Sequence, residues 1–262
     1  MTKPLIIGAL RVRNESRWIR RVIDSIKPLC LAIHVLDDNS DDDTADICES
    51  MGCIVYRGAV PWVLSGDRMV SDESAGKQFL LEKVYDSIPE EDQHLTLGNH
   101  ECPYFCLSID GDEVLHENDL DVLAEATKGT AHSYALRILY LWDSEAQWRV
   151  DGVYGRFSRP SLFRLMNRAF SYKKTPFGKG ANFHCSSIPQ EMIGHSRPCE
   201  ARLLHFGYID RDLRLRKFAW YSEIDPANDG EGRYLHCVQG DIPEVPASAR
   251  LKWAGPLELR PL

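Results

Sequence analysis

The stretch that most limits how this chain can fold is Tyr104-Phe105-Cys106-Leu107-Ser108-Ile109-Asp110-Gly111-Asp112-Glu113, an apolar run that breaks off into three carboxylates. A run of this kind suits a strand covered on both faces, as in a largely parallel sheet. The acids then fall at the strand's carboxyl end, the edge of an open α/β sheet that faces the ligand crevice. Two aspartates flanking a glycine can reach a hard divalent cation such as Mg²⁺ or Mn²⁺, which takes oxygen ligands and shares itself with phosphates. By themselves these residues suit an acidic turn equally well, with Gly111 supplying backbone freedom.

The preceding sequence supports the sheet. Pro4 to Val12 is a short apolar strand that ends in Arg13-Asn14-Glu15-Ser16. Trp18, Ile19, Val22, Ile23 and Ile26 then share one face of an amphipathic helix, with Asn14 as the expected N-cap and Pro28 as its close. Leu31 to Leu36 is a second strand, bounded by the acidic turn Asp37-Asp38-Asn39-Ser40-Asp41-Asp42-Asp43-Thr44. A second helix through Ile47 to Met51 stops at Gly52, and Cys53 to Tyr56 is a third strand. Strand, helix, strand, helix, strand implies right-handed βαβ units. No GxGxxG follows the first strand and no GxxxxGK[ST] occurs, which removes the main support for dinucleotide dehydrogenases and P-loop enzymes. The acidic turn is also a poor EF-hand loop, because Asp43 stands where the sharp turn wants glycine.

Further on, Gly58 to Ser71 reads as irregular, Asp72 to Ile88 as a helix carrying Lys77 in an early turn, and Pro89 to His100 as a loop. A short helix over Asn118 to Ala126 and a long strand over His132 to Trp142 follow the acidic strand end. Asp143 to Pro160 is rich in Gly, Arg and aromatic residues, and Ser161 to Leu165 is a further short strand. Asn167 to Pro198 shows no period and reads as a binding loop or lid. Leu203 to Tyr208 closes the apolar pattern, Asp210 to Ile224 is a basic amphipathic helix, and a Pro- and Gly-rich tail follows Pro226.

Composition excludes several classes. No apolar run approaches the length of a membrane span, and Arg11 and Arg13 interrupt the first one too early for a signal peptide, so a soluble cytoplasmic protein is expected. The eight cysteines contain no CxxC pair and read as reduced thiols. The net charge of −8 is uneven. Residues 1–130 hold 12 Lys and Arg against 25 Asp and Glu, whereas the remainder is net positive and can accept a phosphate-rich partner.

Four landmarks stand in order: Arg13-Asn14-Glu15, Val35-Leu36-Asp37-Asp38-Asn39-Ser40-Asp41-Asp42-Asp43-Thr44, Asp110-Gly111-Asp112-Glu113 and His205-Phe206-Gly207-Tyr208. Together they resemble the family-2 glycosyltransferases of the GT-A fold, over roughly the first 225 residues. The resemblance implies one catalytic domain over 1–225, with a nucleotide-sugar half (1–115) and an acceptor half (116–225), and an extension over 226–262 packed on it. It also implies a metal-dependent transfer, with Mn²⁺ or Mg²⁺, of a sugar from a nucleotide-diphosphate donor, with UDP the expected carrier, to an acceptor hydroxyl with inversion. By the resemblance Asp38 contacts the base, and Leu10, Val12, Arg13 and Glu15 wrap the nucleoside. Asp112 with His205 holds the metal, and Asp110 and Gly111 meet the ribose or reach the metal through water. Lys77, Arg211 and Arg214 are candidates to neutralise the departing diphosphate, a role that cationic side chains fill by electrostatics. Related sequences often read His-Glu where this chain has His184-Cys185, which leaves Asp151, His184 and Glu191 as candidate bases.

The expected acceptor is a glycan or a lipid-linked sugar, and the positive second half also admits a hydroxylated DNA base. Two other readings share these residues. A nucleotidyltransferase also places paired aspartates on a metal, but it wants a Gly- and Lys-rich loop after the first strand. A non-catalytic nucleotide- or sugar-binding module would have no need to keep Asp110, Asp112 and His205 together.

Overall fold

The structure, a computed structural model, describes residues 5–58, 60–65, 68–173, 185–224, 234–251 and 253–262. In chain order the elements are β1 (Leu5–Val12), α1 (Ile19–Ile26), β2 (Cys30–Asp37), α2 (Thr44–Ser50), β3 (Ile54–Arg57), β4 (Trp62–Ser65), β5 (Arg68–Ser71) and α3 (Glu73–Asp86). They continue with β6 (Tyr104–Asp110), β7 (Glu113–Leu115), α4 (Leu120–Ala126), β8 (Ser133–Trp142), β9 (Ser144–Arg149), β10 (Ser158–Arg164), β11 (Ser196–His205), α5 (Arg211–Ile224) and β12 (Leu259–Pro261).

This is the expected α/β architecture. Strands β3, β2, β1 and β6 run parallel in that spatial order, and β10 then lies antiparallel between β6 and β8. β9 and β12 extend the sheet beyond β8, while β11 pairs parallel with β8 and antiparallel with β7. Among the described residues ten strands share this sheet.

The period of two in a strand explains why the central strands look apolar throughout. In β1, Ile6, Leu10 and Val12 enter a core with α1, α2 and α4, while Ile7 and Ala9 enter a second core with α3 on the other face. Both faces are covered, so both sets must be apolar. The same alternation sends Arg11 towards the α3 side, away from Leu10 and Val12.

Several local expectations change. Residues 62–65 and 68–71, in a stretch expected to be irregular, form the antiparallel pair β4–β5, whose Val63 and Val70 pack with Tyr221 and Ile224 of α5. The loop expected over 89–100 contains a 3-10 helix from Glu90 to Thr96. Helix α1 starts at Ile19, five residues after the expected cap. Asn14 instead adopts φ 55°, and its Oδ1 accepts the Asp41 backbone N–H at 2.8 Å. That bond ties the first strand end to the acidic turn.

Within 167–198, residues 174–184 lie outside the described set. The remainder includes a 3-10 helix from Gln190 to Met192 and the start of β11. Arg197, Pro198, Glu200 and Arg202 hide β11 from a hydrophobic reading, because the strand is held chiefly by its backbone ladders to β8 and β7.

The described part of the C-terminal extension packs on the sheet and adds β12 to its edge. A buried ionic knot secures it. Arg149 donates from Nε to Asp151 Oδ1 at 2.8 Å, from Nη2 to Asp151 Oδ2 at 3.0 Å and to Gln239 Oε1, and from Nη1 to the His236 carbonyl at 2.6 Å. Arg149→Ala strands Asp151 in the interior without its cation, and the expected loss is about 3–5 kcal/mol of folding free energy, read from urea unfolding midpoints.

Candidate functional site

The parallel register of β1, β2 and β6 brings three of the landmarks to one edge, and the antiparallel β7–β11 pairing adds the fourth. Arg11 lies opposite Asp110 on one side and Leu36 on the other, and Val12 lies opposite Asp37. The chain then leaves each strand at the same level. The Arg13–Ser16 turn and the acidic turn are sewn together: Asn14 N–H donates to Ser40 Oγ at 2.9 Å and Glu15 N–H to Thr44 Oγ1 at 2.8 Å. An open cleft of about 450 Å³ lies at this edge. Arg11, Arg13, Asp38, Ser71, Lys77, Asp110 and Arg159 form its polar wall, with Trp220 and Tyr221 of α5 opposite.

At one end of the cleft, Arg11 Nη2 donates to Asp38 Oδ2 at 2.5 Å, and Ser71 Oγ contacts both groups. Asp38 is buried, and among the described residues its other oxygen, Oδ1, has no hydrogen-bond partner. An unpaired buried carboxylate oxygen costs free energy unless a donor reaches it, which makes this a ready acceptor for a ligand N–H or O–H.

Just beyond Asp110, which lines the cleft, the polypeptide turns at Gly111 between β6 and β7. A Cβ there would stand 2.8 Å from Glu15 Cγ and 3.0 Å from Val12 Cγ1, so glycine permits the close approach. The β7–β11 ladder sets His205 opposite Glu113, and the Phe206 N–H donates to the Asp112 carbonyl at 2.9 Å. His205 Nδ1 consequently lies 3.4 Å from Asp112 Oδ2. Lys217 Nζ, arriving from α5, sits 3.2 Å from that same oxygen. Gly207 closes the arrangement, since a Cβ there would overlap Lys217 Nζ, Asp112 Oδ2 and His205 Cε1.

Charges in this cluster set one another's protonation. Burial favours raising Asp110, but Arg159 and Lys77 outweigh it and hold the carboxyl below its usual range. Asp112 is likewise lowered: burial opposes the charge, and His205 and Lys217 overcome it. Glu113 is fully buried beside Arg159, and burial, reinforced by Asp110 and Asp112, pushes it up to about 7. Burial first and Asp112 second push Glu15 up to about 9. Burial pushes His205 down to about 4, against the pull of Asp112, so its imidazole is neutral at neutral pH; its Nδ1 lone pair accepts the Gly207 N–H at 3.1 Å, a bond that a metal at Nδ1 would have to displace.

The expected residues divide. Arg13, Asp38, Lys77 and Asp110 line the cleft, while Glu15 and Gly111 pack against each other and do not line it. Asp112 and His205 adjoin each other, with Oδ2 and Nδ1 3.4 Å apart. Asp110 does not join them directly, because Arg159 Nη1 takes its Oδ2 at 2.6 Å. Leu10 and Val12 are core residues, so their side chains do not wrap a nucleoside.

Arg211 and Arg214 turn from the cleft to the C-terminal extension. Arg211 donates to the Asp241 carbonyl, and buried Arg214 is held by Asp241 Oδ2 at 2.6 Å, Asp143 Oδ1 at 2.9 Å and the Tyr208 carbonyl at 2.9 Å. Their helix presents Lys217 to the site one turn later. Asp151 is locked to Arg149, and exposed Glu191 accepts from the Ser171 N–H at 2.9 Å and from its hydroxyl. Neither lines the cleft. His184 lies outside the described residues.

Sequence reasoning passed over Arg159, Lys217, Arg11 and Ser71. Arg159 stands in the stretch read as a Gly- and Arg-rich connection, and only the antiparallel course of β10 brings its first residues alongside the last of β6. The basic face of the 210–224 helix was the available signal for Lys217, but periodicity does not say which of its cations turns inward. Lys77 was found by its place early in α3; Glu73 Oε1 pairs with it at 2.7 Å.

A divalent ion fits this donor set in part. Asp112 Oδ2 and His205 Nδ1 are separated by 3.4 Å, near the edge of an octahedron with about 2.1 Å bonds, which is about 3 Å. Among the described residues no group of three His, Cys, Asp or Glu side chains is placed to hold a metal. The protein thus offers two donors, as suits an ion whose other ligands are substrate phosphates and water. Gly207→Ala is expected to force Asp112, His205 and Lys217 apart and to lower the affinity for Mn²⁺ in the presence of UDP by about 10-fold or more, as measured by calorimetry, while the circular dichroism spectrum is retained.

No family model matches this chain. No curated protein matches it. Among solved structures it is similar to glucosyl-3-phosphoglycerate synthase from Mycobacterium tuberculosis, at 21% identity and a TM-score of 0.34 over 52% of this chain and 44% of that one. The same protein in complex with Mn²⁺, UDP-glucose and phosphoglyceric acid matches at 20% identity and a TM-score of 0.31, over 52% of this chain and 43% of that one. A mycobacterial protein matches at 14% identity and a TM-score of 0.44, covering 84% of this chain and 74% of that one. The chain therefore spans less than half the length of the synthase, and the likeness is a partial one of fold.

Proposed function

We propose that this chain is a metal-dependent glycosyltransferase of the GT-A fold, transferring a sugar from a nucleotide-diphosphate donor, a UDP-sugar, to an acceptor hydroxyl with inversion. One observation carries the reading: at the carboxyl edge of the parallel strands, Asp112 and His205 adjoin at 3.4 Å beside a cleft lined by Asp38, whose buried Oδ1 has no hydrogen-bond partner among the described residues. The nucleoside lies towards Asp38 and Arg11, where Asp38 Oδ1 accepts from the base or ribose. The diphosphate lies towards Lys77, Arg159 and Lys217.

Breaking the bond between the anomeric carbon and the phosphate oxygen leaves both bonding electrons on the diphosphate. When bound, Mn²⁺ or Mg²⁺ held by Asp112 and His205 supplies Lewis-acid stabilisation of that charge. The chain's own cations contribute in the same direction, and burial strengthens them relative to water. Glu113 positions Arg159 from beneath, and Tyr140 and Tyr208, with ring centroids 5.0 and 5.4 Å from that of His205, hold the imidazole in place. Trp220 and Tyr221 offer apolar faces at the mouth to a sugar acceptor, and the reading takes that acceptor as a glycan or lipid-linked sugar. No step falls to Asp151 or Glu191.

Two measurements test this. A nucleoside diphosphate at about 100 times its dissociation constant adds about 2.7 kcal/mol of stability, so a thermal-shift screen with Mn²⁺ should single out UDP. A flat screen removes the donor reading. During turnover the released product should be the nucleoside diphosphate; pyrophosphate would identify a nucleotidyltransferase instead. Asp112→Asn should lower kcat/KM by about 100-fold or more with the unfolding midpoint little changed, because a strand-end carboxylate serves the site more than the core.

A further inference from the structure

Asp112 Oδ2 has two close neighbours: Lys217 Nζ at 3.2 Å and His205 Nδ1 at 3.4 Å. Among the described residues Lys217 is the cation bonded to that oxygen, and Gly207 leaves no room for the cluster to spread on its side. A divalent ion bound to Asp112 and His205 would have to share this oxygen with an ammonium ion, and two cations held so close repel strongly in a partly buried site.

We propose that Lys217 is a resident counter-ion: it occupies Asp112 while no metal is bound, suppresses metal binding by the nucleotide-free protein, and transfers to the diphosphate when metal and nucleotide arrive together. This rests on the metal-dependent reading above.

The anchoring of α5 makes such a transfer cheap in structure. Arg214, one turn earlier, fixes the helix through Asp241, Asp143 and the Tyr208 carbonyl. The Lys217 side chain alone needs to move, pivoting over the Tyr208 ring, which its ammonium overlies at 4.8 Å. A lysine suits the role because its flexible stem carries a compact charge that can exchange one anionic oxygen for another. The diphosphate supplies the new partner and also completes the metal's coordination, so metal and nucleotide each favour the other's binding by the same factor.

The test titrates Mn²⁺ into the nucleotide-free protein, following the paramagnetic resonance of free Mn²⁺, and repeats the titration with UDP after correction for the Mn–UDP complex in solution. Lys217→Met keeps the stem and removes the charge; Lys217→Gln serves as a second variant, with unfolding midpoints as the check on folding. The expected result is that both variants bind Mn²⁺ about 10-fold or more tighter than the wild type without UDP, and that UDP improves their Mn²⁺ affinity by a smaller factor than it does in the wild type. Unchanged Mn²⁺ affinity in the variants, with Asp112→Asn abolishing binding, overturns the counter-ion and leaves the metal site standing. Wild-type Mn²⁺ affinity that is indifferent to UDP also overturns it, whatever the variants do. Absence of Mn²⁺ binding to every protein, with and without UDP, removes the metal reading and this inference together.

Discussion

The structure depends on assembling like charges where water is scarce. Glu15, Asp110, Asp112 and Glu113 converge on one edge of the sheet; burial keeps Glu15 protonated at neutral pH, and the other carboxylates would be driven apart or neutralised without compensating cations. Arg159 spans Asp110 and Glu113, Lys217 meets Asp112, and Lys77 adds its charge to the field at Asp110. Each cation comes from a different element: β10, α5 and α3. The acidic edge therefore holds together only when the second half of the chain has folded onto the first.

That dependence explains the second layer of ionic contacts. Lys217 can reach Asp112 only if α5 is correctly seated, and α5 is seated by Arg214 through Asp143 at the start of the β8–β9 turn and Asp241 in the C-terminal extension. The extension is in turn held by Arg149, Asp151 and Gln239. Arginines that sequence reasoning assigned to the diphosphate thus support the residues that face it. Arg214 and Arg149 are both buried, and a planar guanidinium with several fixed donors can satisfy carboxylates and carbonyls together in such a setting.

The Asp38 end of the cleft and the neighbouring Asp112 cluster differ in character. Around Asp38 the partners are few, and among the described residues its buried Oδ1 has none, which favours a directional hydrogen bond to a ligand that reaches it. Around Asp112 the charges are nearly balanced within the protein, so a ligand must exchange partners with residues already engaged. A site of the first kind is suited to recognising a particular group, and one of the second kind to making metal and anion arrive together.

The amino-acid sequence alone determined the parallel core and the place of the crevice. The apolar runs of β1, β2 and β6, each stopping at charged or polar residues, could be buried on both faces only in such a sheet, and the register then aligned their ends. It also singled out Asp110 and Asp112, because acids that terminate an apolar strand leave a local signal, whereas Asp38 and His205 were named through the resemblance to family-2 glycosyltransferases. Tertiary structure decided which cations serve them. Arg159, Lys217, Arg211 and Arg214 all read as basic residues in polar surroundings, and their roles follow from strand direction, helix rotation and the seating of the extension. Those are long-range pairings, and a local pattern of hydrophobicity carries no information about them.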